Sequence, residues 1–471
     1  AAPPQRQGLL MPHKLTDVKI HTVTKPPTGP LEELRGDLCV VGAGIAGVSA
    51  ALTAAGLGRR VILVDALPML GGQCANSLIG LFCGVYGNGP EYRQLTHGLF
   101  DRMFPALEKT GDLSYNHRHT ITVNYDEHAV GRWMEREIVQ AGVVPVTGAS
   151  ILSVNSDAGQ LRSVTFATRY GLLKVEADAF IDASGDAALT WEAGLECRVP
   201  ERTIWGSQQV RVEGLVPSAA PDPQDLAQSV YDHAEEYGLI RRDGLAFFFP
   251  GRDTAVLNMT HIESPLEAVG AAEAQLRGKD QADRVIQFLR DHHPAAFGEA
   301  SVRFYGLPGR RQTRWIAGEH QLTEHEVRSG LRFEDSIART SWPIELHDQP
   351  EGYVWEQFDG EHVHYVPLGS ITPRGAVNLL AAGRCVDGDA AALSSIRVMG
   401  PCAAMGEAAA HALDLADGGP VAEIDLAELR ERIRANIGPD AAGDGAVPAG
   451  STAGGRHDER EEEKESFHAA H

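Results

Sequence analysis

The stretch "DLCVVGAGIAGVSAALTAAGLGRRVILVD", residues 37–65, decides the fold. Leu38 to Val41 is apolar and partly β-branched, as a strand buried on both faces requires. Gly42, Gly44 and Gly47 follow with G-x-G-x-x-G spacing. The first glycine permits a tight turn, the second lets a pyrophosphate approach the backbone, and the third lets the next helix pack closely on the strand. That helix is expected from about Ile45 to Ala55, with its positive N-terminus, at Ala46, beside the phosphates. Val61 to Val64 reads as the next strand. Asp65 stands at its end, 23 residues after Gly42, where a carboxylate can accept from both ribose hydroxyls. Strand, turn, helix and acid in register predict a dinucleotide-binding unit.

The chain has 471 residues, 43% of them hydrophobic, enough for more than one core. No apolar run reaches the roughly 18 residues of a membrane span. The N-terminus lacks the charged-then-apolar pattern of a secretory signal, so a cytoplasmic protein is expected. Residues 1–36 read as an N-terminal extension. The net charge of −22 argues against nucleic acid or an anionic membrane as partner, since either needs a basic face. Part of that charge lies in "HDEREEEKES", residues 457–466, after a Gly/Ala/Pro-rich stretch. Residues 438–471 are therefore expected to form a disordered acidic tail. The cysteines Cys39, Cys74, Cys83, Cys197, Cys385 and Cys402 are sparse, which suits reduced thiols, and none are paired at zinc-site spacing. No metal is expected.

Farther along, residues 127–140 read as an amphipathic helix. A strand and a β-meander then end in "FIDASGD", residues 180–186. From about Arg198 to Tyr305 the chain mixes polar helices with strands such as "AFFFPG" and "TAVLNMTHI", without a glycine fingerprint. This reads as an inserted substrate domain. "NLLAAGRCVDGD", residues 378–389, returns to strand and loop, and "VMGPCAAMGEAAAHALDLA" opens a long helix with Pro401 in its first turn.

The choice between NAD and FAD turns on how many segments reach the dinucleotide. An NAD dehydrogenase needs one fingerprint and a catalytic domain. Flavoproteins of the glutathione-reductase-like FAD fold use three separated contacts, and this chain resembles them at Gly42–Asp65, Ala183–Asp186 and Gly383–Ser395. FAD is the expected cofactor. The last helix would aim its N-terminus at the pyrimidine edge of the isoalloxazine, where a positive dipole stabilises the anionic reduced flavin. The likeness extends further. "LPGRRQTRWIAGEHQLT" and "SSIRVMGPCAAMGEAAAHAL" resemble the R-E-S-R-R-I-x-G-x-Y-x-L-T and S-I-R-V-M-x-x-C-x-A-x-G-x-A patterns of a family of FAD-dependent oxidoreductases, over roughly residues 37–415.

The resemblance implies an α/β fold. A Rossmann-like FAD-binding domain would cover 37–198 and 338–437, with a β-rich α+β cap inserted at 199–337. It implies cofactor contacts at Gly42, Gly44, Ala46, Gly47, Asp65, Ala66, Gly71, Gly72, Gln73, Cys74, Ala183, Gly185, Asp186, Gly383, Arg384, Asp387, Arg397 and Met399. Cys74 and Cys83 have eight residues between them, unlike the C-x4-C of disulfide reductases, and read as small residues packed beside the cofactor.

The chain departs from the pattern at Arg311-Gln312-Thr313-Arg314-Trp315, where R-E-S-R-R is usual, and at Leu368-Gly369, where many members have Tyr-Arg. Arg311 and Arg314 are candidates to hold a substrate carboxylate with guanidinium forks. Spaced by three, they would share one face of a helix. His362 and His364 alternate at strand period, share a face, and are candidates for the base that takes the substrate proton. The function expected is hydride transfer between a polar or carboxylated small molecule and flavin N5, with oxygen or another redox partner as acceptor. A flavin electron-transfer subunit and a non-catalytic FAD-binding protein are the alternatives. Reaction direction and oligomeric state stay open.

Overall fold

The computed structural model describes residues 19–24, 31–89, 91–117 and 119–438. The opening motif forms β1 (Leu31–Val41), α1 (Ile45–Gly56) and β2 (Val61–Asp65). After α2 (Glu127–Gln140) come β3 (Val144–Thr147) and the meander β4 (Ala149–Asp157), β5 (Gln160–Thr168) and β6 (Gly171–Asp182). Asp126 caps α2 by accepting from the His128 and Ala129 amides, both at 3.0 Å. The parallel sheet runs β3-β2-β1-β6, with β5 and β4 antiparallel beyond β6. In the central pairing Leu38 faces Val61 on one side and Ala179 on the other. Cys39, Val40, Leu63, Val64, Phe180 and Ile181 are fully buried there, as strands covered on both faces must be.

The sheet begins earlier than its apolar run. Glu32 to Gly36 pair with Leu173 to Ala177, so the expected extension through residue 36 ends inside β1. The side chains of Glu32, Glu33 and Arg35 are exposed. Backbone pairing with β6 orders this segment, and no hydrophobic pattern announces it. Residues 439–471, the stretch expected to be a disordered tail, lie outside the described residues.

The cap is built around a four-stranded antiparallel sheet and two long helices. Its elements are β7 (Val210–Glu213), α3 (Pro223–Tyr237), β8 (Leu245–Phe248), β9 (Thr254–Asn258), α4 (Ala268–His292) and β10 (Ser301–Tyr305), in strand order β8-β9-β7-β10. Val212, Val230, Phe288, Leu289 and Phe297 form a core separate from that of the main sheet. Trp315, Ile316, Leu322, Val327 and Ile337 instead share a core with Leu38 and Val40. The chain thus rejoins the first unit well before residue 338, where the cap was expected to end. Trp315–Ile316 also pairs with Cys197–Arg198, closing the neck through which the cap enters and leaves.

The return adds β11 (Leu379–Ala381), parallel to the top of β6, then α5 (Ala390–Ile396) and α6 (Met399–Ala416). The small residues of α1 and α6 let these helices approach backbone to backbone. A Cβ on Gly406 would stand 2.1 Å from the Ala46 carbonyl oxygen, and Ser49 Oγ donates to the Ala403 carbonyl at 2.8 Å. Among the described residues no helix is long and apolar enough to cross a membrane.

Candidate functional site

A cavity of about 1080 Å³ runs from the carboxyl ends of β1, β2 and β6 to the underside of the cap. Gly42, Gly44, Ala46, Asp65, Ala66, Gly72, Gln73, Cys74, Ala183, Gly185, Asp186, Gly383, Arg384, Arg397 and Met399 line it. Gly47, Gly71 and Asp387 do not. Gly47 packs α1 on the turn, where a Cβ would stand 1.8 Å from the Gly42 carbonyl oxygen. Gly71 donates its amide to the Ala43 carbonyl at 2.9 Å. Asp387 is fully buried, pairs with Arg198 at 3.0 Å and accepts the Gly318 amide at 2.8 Å. It braces the neck of the cap, where the sequence had suggested a cofactor contact.

The cofactor end is shaped by backbone. Gly42 has φ +106, and a Cβ there would lie 2.2 Å from the Ala183 carbonyl oxygen. A Cβ on Gly44 would meet only the Gly72 Cα, at 4.0 Å, so this glycine leaves open space facing the cavity. No side chain caps the first amides of α1 or α6, and both helices begin at the cavity wall. Such bare helix N-termini attract anionic groups. The Asp65 carboxylate accepts the Ala43 amide at 2.6 Å and the Leu67 amide at 2.7 Å. Burial raises its pKa, and those two bonds oppose the shift. Asp182, at the end of β6, was missed by sequence reading. It accepts from the Ser184 amide and hydroxyl and from the Thr190 amide and hydroxyl at 2.6–3.1 Å, which fixes the Ala183–Asp186 turn. Open glycine, bare helix ends and an aligned carboxylate have the chemistry a dinucleotide requires.

The substrate end is shaped by side chains. Arg311 lines it and donates to the Trp205 carbonyl at 2.6 Å and to Ser207 Oγ at 3.1 Å. Burial, then the neighbouring Arg397, pushes its pKa down to about 9. Arg397 donates to the Glu345 backbone carbonyl at 3.0 Å, and its Nε has no partner. Neither guanidinium forms an ion pair among the described residues. Leu226, Phe247, Phe248, Trp342, Tyr353 and Trp355 supply an apolar wall beside them.

The profile of the FAD dependent oxidoreductase family matches residues 37–433. The chain belongs to that family. This oxidoreductase is an enzyme, and its cofactor is FAD. Among solved structures it is similar to a geranylgeranyl bacteriochlorophyll reductase-like protein from Thermoplasma acidophilum, at 15% identity over 85% of this chain and 84% of that one, TM-score 0.45. A triple mutant of the flavin-dependent brominase Bmp2 matches at 13% identity over 85% and 84%, TM-score 0.45. The p-nitrophenol 4-monooxygenase PnpA from Pseudomonas putida matches at 10% over 86% and 81%, TM-score 0.42. No curated relative matches the chain.

Three catalytic candidates of the oxidoreductase lie away from the cavity lining. Residues 310–314 form no helix, so Arg311 and Arg314 share no face. Arg314 donates to the Asp186 backbone carbonyl at 3.0 Å and stacks over Trp191 at 4.7 Å. Thr313 donates to the Asp186 carboxylate, which also pairs with Arg384 at 2.8 Å. Burial raises the Asp186 pKa, but Arg384 and Thr313 outweigh it and hold the group below its ordinary value. The motif thus braces a cofactor turn with two residues and offers the cavity one. His362 and His364 do share a face, where they bond to each other at 3.1 Å. His364 reaches Ser395 Oγ at 2.8 Å, and Ser395 donates to the Trp342 carbonyl. Burial takes the His364 pKa down to about 3. These are neutral packing histidines. Cys74 and Cys83 line the cavity, but burial raises both thiols, Cys74 to about 12, so neither is a ready thiolate.

Sequence reading missed a second buried histidine pair. His261 comes from the cap just beyond β9, and His347 follows the short strand Ile344–Leu346. They join Glu345, which lines the cavity. The partners lie 86 residues apart and no spacing links them.

Proposed function

We propose that the enzyme transfers a hydride between flavin N5 and a small molecule that carries a carboxylate on an apolar body. Two cavity-facing guanidiniums that make no direct ion pair among the described residues, Arg311 and Arg397, with only Glu345 as a nearby carboxylate, carry this reading. Buried cations without an anion are costly, and a ligand anion relieves that cost. FAD, when bound, supplies a two-electron acceptor or donor.

In this reading Gly42, Gly44 and the N-terminus of α1 hold the pyrophosphate, and Asp65 holds the ribose. The turns at Ala183–Asp186 and Gly383–Arg384, the N-terminus of α6 and Arg397 line the same cavity and would hold the rest of the cofactor. Arg311 is already oriented by Trp205 and Ser207, so it can grip an anion with little loss of side-chain freedom. The aromatic and aliphatic wall excludes water from the reacting carbon. The acceptor that closes the cycle is oxygen or another redox partner.

The test is anaerobic flavin bleaching, or reoxidation of photoreduced flavin, with a panel of carboxylic acids and their uncharged amides. Acids should react and amides should not. Arg311→Gln should weaken the apparent affinity roughly ten- to a hundredfold, the value of one charge-assisted contact, while FAD stays bound. Equal reaction of acids and amides, or wild-type behaviour of Arg311→Gln, would remove the anion site.

A further inference from the structure

The hydrogen bonds around Glu345 do not close without an added proton. His261 Nδ1 lies 2.7 Å from the Pro350 carbonyl oxygen. A carbonyl only accepts, so Nδ1 carries the hydrogen and Nε2 of the neutral ring is a lone pair. That lone pair lies 3.0 Å from His347 Nδ1, which must donate. His347 Nε2 is then also a lone pair, and it faces Glu345 Oε1 at 2.9 Å. The other Glu345 oxygen already accepts the Trp342 indole N–H at 3.1 Å. Two neutral imidazoles and a carboxylate bring two ring hydrogens to three contacts. One more proton, shared between Glu345 Oε1 and His347 Nε2, completes the chain.

We propose that Glu345, His347 and His261 form a proton-loaded relay, and that Glu345 delivers its proton to the substrate. The proposal rests on the hydride-transfer reading above. When a C=X group is reduced, carbon gains a hydride carrying both electrons from reduced flavin. X takes the relay proton, an X–H bond forms, and Glu345 is left as a carboxylate that refills from solvent. In the opposite direction the X–H proton enters the empty relay as the hydride leaves carbon for oxidised flavin. Glu345 is the member that reaches the cavity, whereas His347 and His261 are at most 1% exposed.

The groups facing the relay are Arg241, Arg311, Arg397, Tyr353 and the Cys83 thiol. Asp243 neutralises Arg241 through bonds of 2.6 and 2.7 Å, and Tyr353 stacks on His347 at 4.6 Å. Burial first and the guanidiniums second hold both imidazoles below their ordinary pKa. The contact that lacks a hydrogen is the one between His347 Nε2 and Glu345 Oε1, and the extra proton is assigned there on that geometry.

The experiment compares FAD-loaded wild type with Glu345→Gln and His347→Phe. Above pH 7 the unfolded chain has an ionised glutamate and neutral histidines, one proton fewer than the folded relay. Unfolding then releases a proton, so the relay makes the unfolding constant rise tenfold per pH unit until it empties. In Glu345→Gln the introduced amide can donate to His347 Nε2 while its carbonyl accepts from Trp342, so no extra proton is needed. In His347→Phe the introduced ring keeps the stack on Tyr353. Denaturant unfolding from pH 7 to 9 should show that one-proton slope in wild type and not in the variants. Identical slopes in all three proteins overturn the relay. With an acid found by the substrate panel, Glu345→Gln should also lose at least tenfold in the rate of flavin oxidation or reduction, together with its pH dependence. A wild-type rate and pH profile overturn the catalytic role. If no panel member reacts with wild type, the hydride-transfer reading fails, and the unfolding slopes still decide whether the proton is held.

Discussion

The wall of the cavity built by β1, α1 and β6 is made of backbone, and another wall, from Arg311, Glu345 and Arg397, is made of side chains. Gly42 on the first wall, and Gly47 and Gly406 packed behind it, have no room for a Cβ, because strand, turn and two helices meet at main-chain distance. On the second wall each group is held by partners far away in the chain: Arg311 by Trp205, His347 by His261, Arg397 by the Glu345 carbonyl. The difference predicts how each wall fails. Changes in the backbone wall should damage the fold and FAD retention together. Changes in the side-chain wall should leave a yellow, folded protein with altered chemistry.

The largest expected effect is at Gly42. Gly42→Val forces a side chain into a φ of +106 and into the Ala183 carbonyl, at a cost of about 3 kcal/mol or more. Little folded, flavin-bearing protein should be recovered. Gly44→Ala sharpens the point. Its Cβ meets open space, so thermal stability of the FAD-free protein should be unchanged while FAD retention is lost. A flavin-loaded Gly44→Ala variant with normal affinity would show that the backbone there does not approach the cofactor.

Next is Asp65→Ala, which removes the acceptor of the Ala43 and Leu67 amides as well as the proposed ribose contact. FAD affinity, measured by fluorescence of released flavin, should fall roughly ten- to a hundredfold, about 1.5–3 kcal/mol. Unchanged affinity would place the ribose elsewhere.

The packing histidines set a smaller, pH-dependent effect. His364 titrates near 3 in the fold against about 6.5 unfolded. Its contribution is fully present above pH 6.5. It declines as pH falls towards 3, because the unfolded chain then binds the extra proton. At pH 5.5 this costs about 1.4 kcal/mol. His364→Gln should lose that part of the acid slope and keep flavin turnover. A His364→Gln variant that stays folded and flavin-loaded yet does not turn over would return this pair to the site.

Arg314→Gln should matter least. It gives up the stack on Trp191 and one bond to the Asp186 carbonyl, about 0.5–1 kcal/mol. Its melting temperature should drop slightly, with turnover per bound flavin unchanged. A loss of substrate affinity equal to that of Arg311→Gln would rejoin the two arginines as a fork.

Much of the cofactor half was legible because its signals are local. The glycine spacing, the strand-ending Asp65 and the run into Ala183–Asp186 each express a conformational rule that holds within a few residues. α1 and β2 end within one residue of their expected limits. Sequence likeness supplied the third contact and the cofactor. The substrate half was legible only as residue types. Arg311 and Arg314 looked equivalent at a spacing of three. Only the irregular path from Gly309 to Trp315 sends one to the cavity and the other to Asp186. Asp387 looked like part of the Gly383–Ser395 contact, until Arg198 claimed it across the neck of the cap.

The sequence by itself determined the α/β dinucleotide unit and the long Ala-rich helix α6, because backbone geometry and close packing impose fixed residue types at short, fixed intervals, and its family likeness added FAD. The tertiary structure alone decided which arginine faces the cavity, which histidines are inert, and that Glu345, His347 and His261 meet. Those outcomes depend on contacts between residues tens to hundreds of positions apart. Burial and hydrogen-bond partners, which give an imidazole or a guanidinium its chemistry, exist only once the chain has closed.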